Sequence, residues 1–206
     1  MHGPPIFGDK GHQFGMIHRL DVPNSGLLLV AKSYRAYYDL MFQMNTGMVR
    51  RDYIVLCHGW IPRSCHKILA PLFWCQNGAP SSVRRHGKPA RTFLKVLSHL
   101  VHQPGGDSYS LVEVSIDTGR RHQIRSHLAF IGHPLVGDAK YSSSATFQSD
   151  HTLCNRNFLH RVRLSFLDVE GKPVEVADAL PPDLQLALSA LEAKDNDSAM
   201  WKLQWC

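Results

Sequence analysis

His18-Arg19-Leu20-Asp21, followed by Ser25-Gly26 and the apolar run Leu27-Leu28-Leu29-Val30-Ala31-Lys32, is the stretch on which the fold turns. It sets one carboxylate beside a fixed positive charge, just ahead of a segment that reads as a buried strand. An arbitrary aspartate usually caps a turn or pairs with a surface arginine. Asp21 stands apart because Gly26 and the apolar run behind it imply close packing in place of a solvated loop. A guanidinium such as that of Arg19 favours the ionised carboxylate, keeping it available as a nucleophile or electrostatic stabiliser.

Far downstream, Thr118-Gly119-Arg120-Arg121-His122-Gln123-Ile124-Arg125 forms a second cationic segment, suited to the complementary half of the same pocket. Arg125 is placed to take a carboxylate by two parallel hydrogen bonds, fixing its direction as well as its charge. Between the two segments, Ser33 predicts the N-cap of a helix over 34–45, with Tyr37, Leu40, Met41 and Met44 on one face and Gly47 as its stop. A strand is expected over 52–59, with Tyr53, Val55 and Cys57 on one side and Ile54, Leu56 and His58 on the other.

The region 61–88 reads as loop-rich and carries the basic patch Val83-Arg84-Arg85-His86. Runs 92–98 and 108–116, joined by Gln103-Pro104-Gly105-Gly106-Asp107, predict an antiparallel hairpin. A short helix is expected over 122–131, with Ile124, Leu128 and Ile131 toward the core and Arg121 and Arg125 sharing another face. Residues 142–157 read as a long loop. A strand over 158–167, a turn at Glu170-Gly171-Lys172-Pro173, a second strand and a helix after Pro181-Pro182-Asp183 follow. The class is α+β, a mostly antiparallel mixed sheet flanked by helices. The expected division is an irregular segment 1–17, one catalytic domain 18–195 and a tail 196–206.

The 206 residues suffice for a substantial core, and 44% hydrophobic with 19% charged residues is the balance of a folded globular protein. A formal charge of +6, with 13 histidines not counted, favours a polyanionic partner. Five cysteines, with no Cys-x-x-Cys pair and no signal-like segment, favour a reducing intracellular compartment. No apolar run is long enough to cross a bilayer, so no membrane partner is expected. The cysteines and histidines between Cys57 and Cys75 match no zinc template, and His18, His122 and His160 read as hydrogen-bonding residues, so no metal is expected. Tyr53 brings a flat surface for base stacking and a hydroxyl for proton handling, against the even alternative of a core tyrosine.

These residues resemble the motifs of RluA-type pseudouridine synthases. The resemblance rests on His18-Arg19-Leu20-Asp21, on Ser25 to Lys32, and on Thr118-Gly119-Arg120-x-His122-Gln123-Ile124-Arg125. It continues through Ile131-Gly132-His133-Pro134-Leu135-Val136-Gly137-Asp138, Tyr141 and Leu159-His160. Weaker echoes are Tyr53, Gly87-Lys88-x-Ala90-x-Thr92 and Gly171-Lys172-Pro173. The family order is kept from His18 to about Leu184. Asn24 stands where the family has threonine before Ser-Gly, and Arg121 where a small hydroxyl often follows Thr-Gly-Arg. The family's Lys-Pro-x-Gly strand has no counterpart in residues 1–17, which leads to the expectation of an open sheet edge.

The resemblance implies isomerisation of uridine to pseudouridine within rRNA or tRNA, by a monomer, with no cofactor. It implies Asp21 as the catalytic aspartate, Tyr53 as the active-site tyrosine and Arg125 as the aspartate's partner. Arg19, His18, Arg120, His122 and Gln123 become substrate contacts, and Arg84, Arg85, Lys88, Arg91, Arg120 and Arg121 candidate phosphate contacts. Asp21 has three open roles: attack on the sugar, attack on the base, or removal of a sugar proton. The competing reading is an RNA-binding protein that keeps the fold without turnover; a zinc-dependent hydrolase is the third.

Overall fold

The strand carrying Tyr53 is buried almost end to end, because both faces of its sheet are covered. The computed structural model describes residues 4–74, 79–103 and 105–206. In chain order the elements are β1 (Ser25–Gly26), α1 (Tyr34–Thr46), β2 (Arg50–His58), β3 (Lys67–Leu69), β4 (Leu72–Phe73), β5 (Ser82–Val83), β6 (Arg91–His102) and β7 (Asp107–Ile116). Then come α2 (Gln123–Phe130), α3 (Ser144–Asp150), β8 (Leu159–Leu167), β9 (Pro173–Ala177), α4 (Pro182–Ser189), β10 (Glu192–Ala193) and α5 (Asn196–Leu203). An eight-stranded sheet runs β1-β8-β2-β7-β6-β10, with β9 added to β8 and β3 to β6. Only β1 and β8 are parallel, so the sheet is mixed and mostly antiparallel, as expected.

Alternation along β2 sends its side chains into two cores. Tyr53, Val55 and Cys57 join Val112, Val114, Leu135 and the α2 residues Ile124 and Leu128. On the opposite face, Ile54 and Leu56 join Phe158, Leu184 and Leu188, roofed by α4 and by Trp201 of α5. Truncating a side chain as enclosed as Leu56 costs about 2–5 kcal/mol. A third core forms under α1, where Tyr37 and Leu40 meet Ile17, Leu29 and Ala31. Ser33 Oγ accepts from the Ala36 amide at 3.2 Å, and Gly47 closes the helix with φ +78°, so both ends of α1 form as its sequence predicts.

Four expectations are corrected. The run Leu27 to Lys32 is not a buried strand: only Ser25 and Gly26 pair with β8, Leu28 and Val30 are exposed, and Leu29 and Ala31 turn inward with Leu27 partly buried beside them. The run lies beside the sheet, where one side only finds a core. The stretch 142–157 holds α3, capped by Ser143 Oγ on the Thr146 amide at 3.1 Å; its polar composition hides a helix that buries Asp150. Helix α2 starts at Gln123 because His122 sits in the left-handed region at φ +54°, so Arg121 shares no helical face with Arg125. Residues 196–206 carry α5, whose Ser198 Oγ receives the His99 amide at 2.9 Å and whose first turn is capped by Asp195. Cys75 and Pro104 lie outside the described residues.

Candidate active site

One cavity of about 820 Å³ opens where the two cationic segments meet, and its wall includes Arg19, Arg51, Arg120, Arg121, Arg125 and Arg161 against Asp21 and Asp117. The volume is within the range of sites that enclose a small molecule. His18, Tyr53, His122 and Gln123 also line it, so every residue singled out as catalytic or substrate-binding faces one space.

Asp21 stands at a turn closed by the Asn24 amide on its carbonyl at 2.7 Å, with a cis bond between Val22 and Pro23. Gly26 lets β1 follow β8 closely: at φ +113° a Cβ there would collide with the Arg161 backbone. The Asp21 carboxylate lies 3.6 Å from Arg125 Nη1 and 3.8 Å from His122 Nε2, with its side chain 19% exposed and that of Arg125 3% exposed. The acid is therefore reachable from the cavity while its cation is fixed behind it.

The two-pronged contact expected between Arg125 and Asp21 goes elsewhere. Arg125 Nε and Nη2 donate to the two oxygens of buried Asp138 at 2.6 and 2.7 Å, leaving Nη1 to face Asp21. Burial opposes the charge on Arg125, but its bonds to Asp138 and the charges of Asp138 and Asp21 outweigh that and hold its pKa above the ordinary value. The pairing of Asp21 with Arg19 is corrected too: Arg19 is exposed on the rim, and the ion pairs of Asp21 among the described residues are those with Arg125 and His122. Arg19 turns to solvent while Asp21 faces α2, so closeness in sequence is no guide to pairing here.

Gln123 works inside the fold. Its Oε1 accepts from Thr118 Oγ1 at 2.8 Å and from the Arg120 amide at 3.0 Å, while Nε2 donates to the Arg91 carbonyl at 2.8 Å and to Thr92 Oγ1 at 3.1 Å. With its amide fully used, it shapes the Thr118–Arg120 turn and has no group left for a ligand. His122 meets Tyr141 Oη at 3.1 Å through Nδ1, and Tyr141 donates to the Ser81 carbonyl at 3.0 Å. Nδ1 is then the donor, and Nε2 faces Asp21. Burial lowers the His122 pKa, with Asp21 opposing and Arg125 assisting.

Sequence reasoning missed Arg161 and Arg51. Arg161 on β8 is the cross-strand partner of Tyr53, at a place where a bulge shifts the register of β2 against β8. Its Nε and Nη2 donate to Tyr53 Oη at 3.0 and 2.8 Å, and Nη1 reaches His18 Nδ1 at 2.8 Å and the Leu27 carbonyl at 2.9 Å. Burial, reinforced by Arg161 and Arg51, drives the His18 pKa down to about 3, so its ring is neutral. Arg51 Nη2 donates to the Asp117 carbonyl at 3.1 Å, and burial lowers its pKa. The available signal was an arginine inside a run otherwise patterned for a buried strand. At the rim, Lys88 lies over Trp74 and Arg84 over Phe73, at 5.3 and 5.4 Å. No group of three or more His, Cys, Asp or Glu able to hold a metal occurs among the described residues.

Comparison with known proteins agrees with this architecture. Residues 4–130 match the RNA pseudouridylate synthase family model. An uncharacterized RNA pseudouridine synthase of Chloroflexus aurantiacus is 36% identical over 180 residues, covering 86% of this chain and 54% of that protein. Ribosomal large subunit pseudouridine synthase D of Nitrosomonas europaea is 38% identical over 189 residues, covering 89% and 53%. Human RNA pseudouridylate synthase domain containing 1 superposes with a TM-score of 0.72 at 26% identity, over 93% of this chain and 80% of that one. The chain belongs to the RNA pseudouridylate synthase family, with the RluA-type motifs. It spans about half the length of the curated relatives it matches.

Proposed function

We propose that this chain isomerises uridine to pseudouridine in RNA, with Asp21 acting on the bound nucleoside. The observation that carries the reading is the Asp21 carboxylate, 3.6 Å from a buried, pre-fixed guanidinium at the wall of a cationic cavity. Arg125 sets a fixed positive charge beside the acid, and its own charge is already balanced by Asp138. Detaching the base builds positive charge on the sugar, which a carboxylate stabilises or traps. The detached uracil has to turn and rejoin through carbon before water intervenes, and an arginine-walled cavity of about 820 Å³ has room for that turn. Tyr53, in the cavity wall, offers a ring for the base and a hydroxyl that can donate a hydrogen bond to it.

A stacked uridine reaches such a cavity only after extrusion, at a cost of about a few kcal/mol. Rim cations offset that cost through phosphate contacts: Arg84, Arg85 and Lys88 are exposed beside the β4–β5 hairpin, and Arg120 is half-buried at the cavity. Arg91 is already paired with Asp117 at 3.2 Å, which weakens its claim. Every residue lining the cavity except Ile17 falls within 18–195, which supports that span as the catalytic unit of a monomeric enzyme. Cys57, Cys65, Cys154 and Cys206 are unbridged, which suits an intracellular site of action. Six relatives carry ribosomal large subunit names, so rRNA is the first substrate to try.

The test is release of tritium from RNA labelled at uridine C5. The wild type is expected to release it from ribosomal RNA, and Asp21→Asn to bind the RNA without release. A folded, RNA-binding wild type that is inert on both ribosomal and transfer RNA would make the non-catalytic reading the correct one.

A further inference from the structure

Arg161 is a group in the cavity wall that has no assigned role. It is buried, it lines the cavity, and it commits two of its nitrogens to one acceptor, the Tyr53 hydroxyl, at 3.0 and 2.8 Å. Its guanidinium carbon also lies 5.0 Å from the centre of the Tyr53 ring. The far end is fastened by His18 and the Leu27 carbonyl, both on the Asp21 side of the cavity. The neutral His18 ring accepts that bond without adding charge.

From this geometry we infer that Arg161 is a positioning residue that acts through Tyr53. Two donors at the phenol oxygen occupy its lone pairs from the strand side and leave its own O–H to point into the cavity. Arg161 therefore orients the Tyr53 proton toward the bound base and ties that orientation to the wall that carries Asp21. The inference rests on the proposed reaction, in which the Tyr53 hydroxyl faces the base. A lysine cannot reproduce it, because an ammonium is a point donor and lacks the planar fork.

A double-mutant cycle on tritium release separates this role from simple packing. Arg161→Met is expected to lower kcat about a hundredfold with KM changed less than threefold, and Arg161→Lys to lower it about tenfold. In a Tyr53→Phe background, which lacks the hydroxyl, either change is expected to cost less than a further threefold. Circular dichroism and RNA binding check that each variant is folded, and Arg161→Lys preserves charge and length if the methionine variant is unstable. Losses that multiply with Tyr53→Phe, or a full-rate Arg161→Lys, would overturn the inference while leaving the reaction intact. An inert wild type would overturn the reaction itself, and this inference with it.

Discussion

The two walls of the cavity are built in different ways. The arginine wall, from Thr118 into α2, is held mainly by close and buried bonds. Gln123 clamps the turn, Asp138 grips Arg125 on two nitrogens, Ser126 Oγ donates to the Ser81 carbonyl at 3.1 Å, and Ser81 Oγ donates to the Arg121 carbonyl at 2.7 Å. The aspartate wall has a two-residue strand and leans on side chains from more than a hundred positions away. Arg161 reaches His18, His160 Nδ1 meets Ser25 Oγ at 2.9 Å, Arg156 donates to Ser25 Oγ at 3.0 Å, and Asn157 donates to Asn24 at 2.9 Å. The cation is thus rigid by local construction, whereas the acid is placed by the arrival of β8. Electrostatic stabilisation is most effective when the charged groups need no rearrangement, and here that preorganisation is carried chiefly by the arginine side.

Breaking the acid side at its reactive end has the largest expected effect. Asp21→Asn should lower tritium release by about ten-thousand-fold or more, with RNA affinity retained in a filter-binding assay. Arg125→Met comes next, at about a hundred- to a thousandfold in kcat; near-normal turnover would mean that the fixed guanidinium is not the partner of the acid. Gln123→Leu tests the rigidity of the arginine wall. It strands the partners at Thr118, Arg120, Arg91 and Thr92, and urea denaturation should show a loss of about 3 kcal/mol.

His18 sharpens the contrast through pH. Its folded pKa of about 3 lies below the ordinary 6.5, so between those values the unfolded chain binds a proton that the folded one does not. Stability contributed by the neutral ring is complete above about pH 6.5 and falls as pH drops toward 3, by up to about 1.4 kcal/mol per pH unit. Denaturation of His18→Gln between pH 4 and 6, compared with wild type, should show a shallower slope by about that amount. The smallest effect is expected from Ser25→Ala, about 1 kcal/mol in the same measurement, since it removes one anchor of the aspartate wall and leaves the others.

Much of the fold was legible from local pattern. Ser33 and Gly47 bracket α1 because capping chemistry is local, and the alternation in 52–59 names the two faces of β2 because side chains on a strand have period two. The run Leu27 to Lys32 misleads for a related reason. Apolar content signals burial, but one side of this run has no partner, and a sequence does not state how many sides of a segment will be covered. Helix α3 escaped because Ser144–Asp150 has no apolar stripe, and its one signal, Ser143, is common in loops.

By itself the sequence determined the family and the α+β class, because both depend on residue types at short spacing along the chain, and it singled out Asp21 as the acid of the proposed reaction. Which guanidinium serves which acceptor was decided only by the tertiary structure. Asp138 takes two nitrogens of Arg125, Arg161 takes the Tyr53 hydroxyl, and Arg19, two residues from Asp21, takes no part in holding it. Charges pair by distance through space, and in this cavity the distances are set by how β8 and α2 pack against the sheet.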